Sequence, residues 1–326
     1  MENPYLACGR PARVGRLTPA LFLRFMLLLA LLPWAARAQT RVSAGGNHSL
    51  SIHPDGTLWA WGNNASGQLG NGAIGGINPT PTQVGTATNW ASVSAGSVHT
   101  LAVRTDGTLW AWGSNSNGQL GTGGGSSATP VQVGAATNWA SVSAGSVHSL
   151  AVRTDGTLWA WGNNASGQLG TGGGNGNNPT PTQVGAATSW ASVSAGANHS
   201  LAVRTDGTLW AWGNNASGQL GNNAIGGSSA TPVQVGADTN WASVSAGSNH
   251  SLAVGTDGAL WAWGSNSNGQ LGNGTVGASY SIRRQVGTAT NWASVSAGNA
   301  HTLAVRTDGT LWAWGTNASG QLGTGG

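Results

Sequence analysis

His99-Thr-Leu-Ala-Val-Arg-Thr-Asp-Gly-Thr-Leu-Trp-Ala-Trp-Gly113, continuing to Gly118-Gln-Leu-Gly121, is the stretch that decides the fold. It recurs six times, anchored by His48, His99, His148, His199, His250 and His301, at spacings of 49 or 51 residues. A fixed period of this length marks a repeat architecture. The apolar period inside the stretch is two, and Asp106-Gly107 separates Leu-Ala-Val-Arg from Leu-Trp-Ala-Trp, a hairpin signal. Read as a two-residue turn, Asp-Gly sets Thr105 opposite Thr108, Val103 opposite Trp110 and Leu101 opposite Trp112. One face then carries Leu101, Val103, Trp110 and Trp112, and the other carries Ala102, Arg104, Leu109 and Ala111.

Both faces are apolar, so the sheet must stack on its neighbours, and radial stacking leaves few open edges. Two further strands per repeat are expected: Trp90-Ala-Ser-Val-Ser-Ala before the histidine and Pro130-Val-Gln-Val after Gly-Gln-Leu-Gly. Four strands in about 50 residues is the size of a propeller blade. The repeats contain no run at helical spacing that would suit a helical solenoid. The expected fold is an all-β β-propeller of six repeats, either six-bladed or a fragment of a seven-bladed or longer array.

The motif His-[Ser/Thr]-Leu-Ala-Val-x-Thr-Asp-Gly-x-Leu-Trp-Ala-Trp-Gly-x-Asn-x-x-Gly-Gln-Leu-Gly resembles the repeat of the regulator of chromosome condensation family, from about Arg41 to Gly323. The resemblance implies the propeller fold. It does not single out a function, because propellers of this family serve different roles. Among those roles the resemblance brings guanine-nucleotide exchange on a small GTPase, and photoreception by tryptophan, into consideration.

The leader is of another kind. Arg10, Arg13, Arg16 and Arg24 precede an apolar run from Phe25 to Trp34, followed by Ala36-Arg37-Ala38. This reads as a secretory signal peptide, residues 1–38, cut before Gln39, and the run is too short to span a bilayer. Residues 39–326 form the repeat domain. The leader holds five Arg and one Glu, the whole net charge of +4; the remainder holds seven Arg, seven Asp and no Lys, a balance of zero. A neutral body argues against binding nucleic-acid phosphates. Cys8, the single cysteine, lies in the leader, so the repeats have no disulfide or thiolate site.

Variation is concentrated in residues 71–83, 122–132, 171–183, 222–234 and 273–285, rich in Gly, Asn, Ser, Thr and Pro and read as surface loops. The last differs most, with Ser279-Tyr280-Ser281-Ile282-Arg283-Arg284. After Gly323 the chain has only Thr324-Gly325-Gly326, without the fourth strand of a blade. Either Arg41-Val-Ser-Ala closes a six-bladed ring, or the array continues; the sequence favours the second.

Twelve of the seventeen tryptophans in 39–326 come from the Leu-Trp-Ala-Trp strands and five open the preceding strand, a placement that core packing explains. A photoreceptor would want Trp and Arg clustered on one exposed face, which the repeats do not suggest. The six histidines are expected to bond a neighbouring loop rather than ring a metal, since packed sheets lie about 10 Å apart. Asn63-Asn64-Ala-Ser-Gly67 and its copies lack the carboxylates a calcium loop needs. The turn aspartates serve the backbone, with Arg104, Arg153, Arg204 and Arg306 as their solvated companions. No nucleophile elbow, carboxylate pair or glycine-rich phosphate loop is present.

The sequence therefore describes an exported, non-enzymatic, monomeric propeller, periplasmic, cell-surface or extracellular, without cofactor, metal or catalytic residues. It binds a protein or other cell-surface macromolecule through its variable loops. The candidate partner-binding residues are Tyr280, Ile282, Arg283 and Arg284. The alternatives are nucleotide exchange, by resemblance, and a purely structural surface array.

Overall fold

A computed structural model describes residues 42–174 and 176–324. The leader assigned to 1–38 lies outside the described residues. Every regular element among the described residues is a β-strand, and none is a helix long and apolar enough to cross a membrane. The strands form six antiparallel sheets in chain order, the blades of a six-bladed β-propeller: residues 42–83, 90–132, 139–183, 190–234, 241–285 and 292–315. Blades 1 to 5 have four strands and blade 6 has three among the described residues. Blade 2 runs from the inner strand Trp90–Ala95 through His99–Arg104 and Leu109–Gly113 to the outer strand Ser127–Gln132. The outer strands occupy the second half of each variable stretch, so those stretches are not loops throughout. Val42–Ala44 pairs with Ser49–Ser51 as the inner strand of blade 1, so it does not supply blade 6 with a fourth strand.

The hairpin register differs by one residue from the two-residue reading. Val103 pairs with Leu109, Ala102 with Trp110, Leu101 with Ala111 and Thr100 with Trp112. The loop has three residues, Thr105-Asp106-Gly107, closed by Arg104 N–H to Thr108 O at 3.0 Å, with Gly107 at φ +78°. A turn followed by a left-handed glycine is the standard three-residue connection. Asp106 secures it: its Oδ1 accepts from Thr108 N at 2.9 Å and from Thr108 Oγ1 at 2.6 Å. Because side chains alternate, this slip exchanges cross-strand partners. One face carries Leu101, Val103, Leu109 and Ala111; the other carries Thr100, Ala102, Arg104, Trp110 and Trp112.

These two unlike faces meet at every interface. Leu101, Val103, Leu109 and Ala111 of blade 2 pack on Trp139, Ala151 and Trp161 of blade 3, and the same cluster recurs at all five successive junctions. Trp112, Trp161, Trp212 and Trp263 are fully buried. Each removes on the order of 200 Å² from water, about 5 kcal/mol gross. The inner strands are also stitched across: Ala144 N–H donates to Ser94 Oγ at 2.9 Å, as does Ala195 N–H to Ser143 Oγ. On blade 6 the leucine face is uncovered, with Leu311 67 % exposed, whereas Leu109, Leu158, Leu209 and Leu260 are fully buried.

Candidate functional site

Tyr280–Gln285 is the outer strand of blade 5, not a loop; Ala262 pairs with Arg284 and Gly264 with Tyr280. At the register position of Arg283 the other outer strands carry Pro81, Pro130, Pro181 and Pro232. A proline has no N–H to give a sheet neighbour and blunts an edge; blade 5 presents arginine there instead. Arg283 Nη1 lies 2.8 Å from Asp238 Oδ2 and donates to Val235 O at 3.0 Å, and its guanidinium stands 5.3 Å from the Trp241 ring centroid. Ile282, 44 % exposed, and Arg283 line a groove of about 650 Å³ between blades 4 and 5, together with Asp238, Trp241, Asp257 and Trp261. Tyr280 and Arg284 are not among its lining residues; they stack on each other at 4.4 Å. The structure thus brings two of the four candidate residues into one concavity and pairs the other two beside it.

The histidines hold blades together. Nε2 of His48, His99, His148, His199 and His250 lies 2.9–3.3 Å from a hydroxyl on the next blade: Thr100, Ser149, Ser200, Ser251 and Thr302. Each hydroxyl donates its one proton back to a carbonyl of the histidine's own blade, Gln68, Gln119, Gln168, Gln219 or Gln270, at 2.7–2.9 Å. The hydroxyl can therefore only accept from the ring, which fixes a proton on Nε2. Burial pushes His48, His148 and His250 down to about 4 and His99 and His199 to about 3. The partner is thus a neighbouring strand hydroxyl rather than the expected loop, which enters one bond later through the glutamine carbonyl. That carbonyl also accepts from the next blade's buried tryptophan, as Gln119 O does from Trp161 Nε1 at 2.9 Å.

The arginines feel the charge of the turn aspartates but form no ion pair with them; they stack on tryptophan instead. Arg104 lies 4.6 Å from the Trp90 centroid and 3.8 Å from that of Trp110. Arg153, Arg204 and Arg306 repeat this at 3.9–4.6 Å over their own tryptophan pairs. The register slip is the cause: it puts Arg104 on the face of Trp110. Trp and Arg therefore stack together in four blades, each stack including a buried tryptophan, Trp90, Trp139, Trp190 or Trp292. Stacking of this kind contributes roughly 0.5–2 kcal/mol, more as the cation loses water.

The blade ends meet around a central channel of about 150 Å³, lined by small residues such as Ala95, Gly96 and Ser97 and their copies. Among the described residues no three His, Cys, Asp or Glu side chains gather closely enough to hold a metal ion.

Over residues 10–326 the sequence matches the RCC1-like domain. The chain belongs to that family. It is 34 % identical over 292 residues to the probable E3 ubiquitin-protein ligase HERC6 of Homo sapiens, covering 87 % of this chain and 24 % of the ligase. It is 32 % identical over 289 residues to the ultraviolet-B receptor UVR8 of Arabidopsis thaliana, covering 87 % of this chain and 54 % of the receptor. It thus spans between a quarter and about half of those relatives. Among solved structures, Prp20p of Saccharomyces cerevisiae, described with binding properties to Gsp1p and histones, superposes with a TM-score of 0.77 at 23 % identity, over 87 % of this chain and 73 % of Prp20p. At that identity the likeness concerns the fold. Within the RCC1-like scaffold, the outer strand beside the groove between blades 4 and 5 belongs to the most divergent of the variable stretches.

Proposed function

We propose that this RCC1-like propeller is a non-enzymatic protein-binding module whose contact surface centres on the outer strand of blade 5, including Tyr280, Ile282, Arg283 and Arg284. The observation that carries the reading is the replacement of the proline-bearing outer strand by Tyr-Ser-Ile-Arg-Arg-Gln, which flanks a concavity on an otherwise repetitive surface. Function concentrates where a rigid scaffold varies. One relative lends support by kind: Prp20p, the yeast RCC1, is described with binding properties to Gsp1p and histones and, in another structure, bound to Kap60. The proposal also places the protein outside the cytoplasm, on the strength of the basic and apolar leader with its Ala-Arg-Ala site. Nucleotide exchange and a purely structural array rest on resemblance and repetition alone, and the blade 5 strand has no part in either.

The test exchanges the strand while keeping the blade. Replacing Tyr280–Gln285 by the Asn178–Gln183 sequence of blade 3 preserves strand length and register. Both proteins are used as bait in quantitative capture from envelope and secreted fractions of the source cells. A partner enriched on the native protein at least tenfold over the exchanged one supports the reading. Equal capture by both removes this strand from the contact surface.

A further inference from the structure

In blades 2, 3, 4 and 6 an arginine stacks over the first tryptophan of the third strand, and in blade 1 His53 stacks on Trp59 at 5.1 Å. Blade 5 is the exception. Gly255 stands at the arginine position, and Trp261, the ring that an arginine would cover, lines the groove between blades 4 and 5. A second departure falls beside it. Ala259 replaces the threonine whose hydroxyl elsewhere accepts from the indole, as Thr208 does from Trp210 Nε1 at 2.8 Å, and donates to the turn aspartate at 2.6 Å. Asp257 keeps only the Ala259 N–H, at 3.0 Å. The charges follow the same pattern. In the regular blades the arginine and the turn aspartate sum to zero, whereas this groove is lined by Asp238, Asp257 and Arg283, with Arg283 bridged to Asp238. One carboxylate and one indole face therefore remain without the cation that accompanies them elsewhere in the molecule.

We propose that this groove is a receptor slot for a guanidinium group, presented by an arginine side chain of the partner protein. The molecule shows four times how such a group is held: flat against the third-strand tryptophan at 3.8–4.1 Å, within electrostatic reach of the turn aspartate but not hydrogen-bonded to it, because the threonine hydroxyl and amide already occupy that carboxylate. A planar guanidinium can stack on Trp261 and donate to Asp257 together, which a compact ammonium cannot do equally. Arg283 stands 5.3 Å from the Trp241 ring centroid, and among the described residues no cation stacks on Trp261. The assignment of the arginine to a partner rests on the protein-binding reading; the slot itself does not.

The experiment therefore uses a small probe. The protein, labelled with ¹⁵N at its indole nitrogens, is titrated with N-acetyl-arginine methylamide, and separately with the corresponding citrulline and lysine amides. The Trp261 resonance is assigned with Trp261→Phe. The arginine amide is expected to shift Trp261 saturably, and the neutral citrulline amide to bind at least tenfold more weakly. Gly255→Arg fills the slot from within. Gly255 is not in the left-handed region, and a Cβ there would crowd Asp257 Oδ1, the movable end of a side chain, with the nearest backbone atom at an ordinary 3.6 Å, so a turn of the Asp257 carboxylate lets the variant fold as blades 2 to 4 do. It is expected to abolish the shift and to raise the urea midpoint. No saturable shift, equal binding of citrulline, or native-like binding by Gly255→Arg would each overturn the slot. Failure of the probe with partner loss on strand exchange leaves the protein-binding reading standing and the slot refuted. Probe binding with partners retained on exchange does the reverse.

Discussion

His148 illustrates how one hydroxyl dictates the chemistry of a ring. Ser200 has a single proton and spends it on Gln168 O, so His148 must donate, and a second proton on Nδ1 would have no acceptor in the buried site. An unfolded histidine titrates near 6.5, whereas the five buried ones titrate at about 3 to 4. Between those values the unfolded chain binds protons that the folded chain refuses, so stability rises with pH across that interval. The protein is expected to hold a constant urea midpoint above about pH 7 and to lose stability progressively from about pH 6.5 down to about pH 4. Equilibrium urea curves at pH 7.5, 6 and 5 check this, and equal midpoints would contradict the relay. The turn aspartates are held below the usual carboxylate range, first by the threonine hydroxyl and then by its amide, so their contribution disappears only at still lower pH.

At the scale of elements, the connection after the third strand is as exacting as the strands. Gly170 closes the Gly-Gln-Leu-Gly turn at φ +72°, and a Cβ there would lie 2.7 Å from Trp212 Nε1 of the next blade. Gly170→Ala is expected to cost about 2–4 kcal/mol, from left-handed strain and from displacing a buried ring, read as a lowered urea midpoint. Strand identity and blade size were legible from the 51-residue period and the alternation of Leu, Val and Trp. The register was not, because Asp106-Gly107 suits a two-residue turn equally well; the three-residue loop is held by the aspartate carboxylate accepting the amide two residues on, a bond that blade 5 keeps with Ala259 in place of threonine. That one-residue error hid the arginine stacks, since it set Arg104 and Trp110 on opposite faces. The candidate strand was legible as the most divergent stretch. Gly255 and Ala259 were equally visible in the sequence, yet they acquire meaning only once Arg104, Arg153 and Arg204 are seen over tryptophan.

Across the whole molecule, stability is distributed over interfaces between neighbours, as in other stacked repeats. Blades 2 to 5 are covered on both faces by neighbours, whereas blade 6 leaves Leu311 and Trp312 67 % and 45 % exposed. Local opening follows buried contact. Amide hydrogen exchange is therefore expected to be fastest in the strands His301–Arg306 and Leu311–Gly315, and slowest in His148–Arg153 and His199–Arg204. Uniform protection across all six blades would contradict a nearest-neighbour distribution of stability.

The unlike faces have a consequence for heredity. Since each blade carries one leucine face and one tryptophan face in a fixed order, any blade fits behind any other. An unequal exchange between two repeats of the gene adds or deletes one 51-residue unit and leaves every surviving junction correctly matched. Packing at the junctions thus offers little resistance to changes in repeat number, and a local peculiarity such as Gly255 travels with its blade to whatever place in the series it is copied.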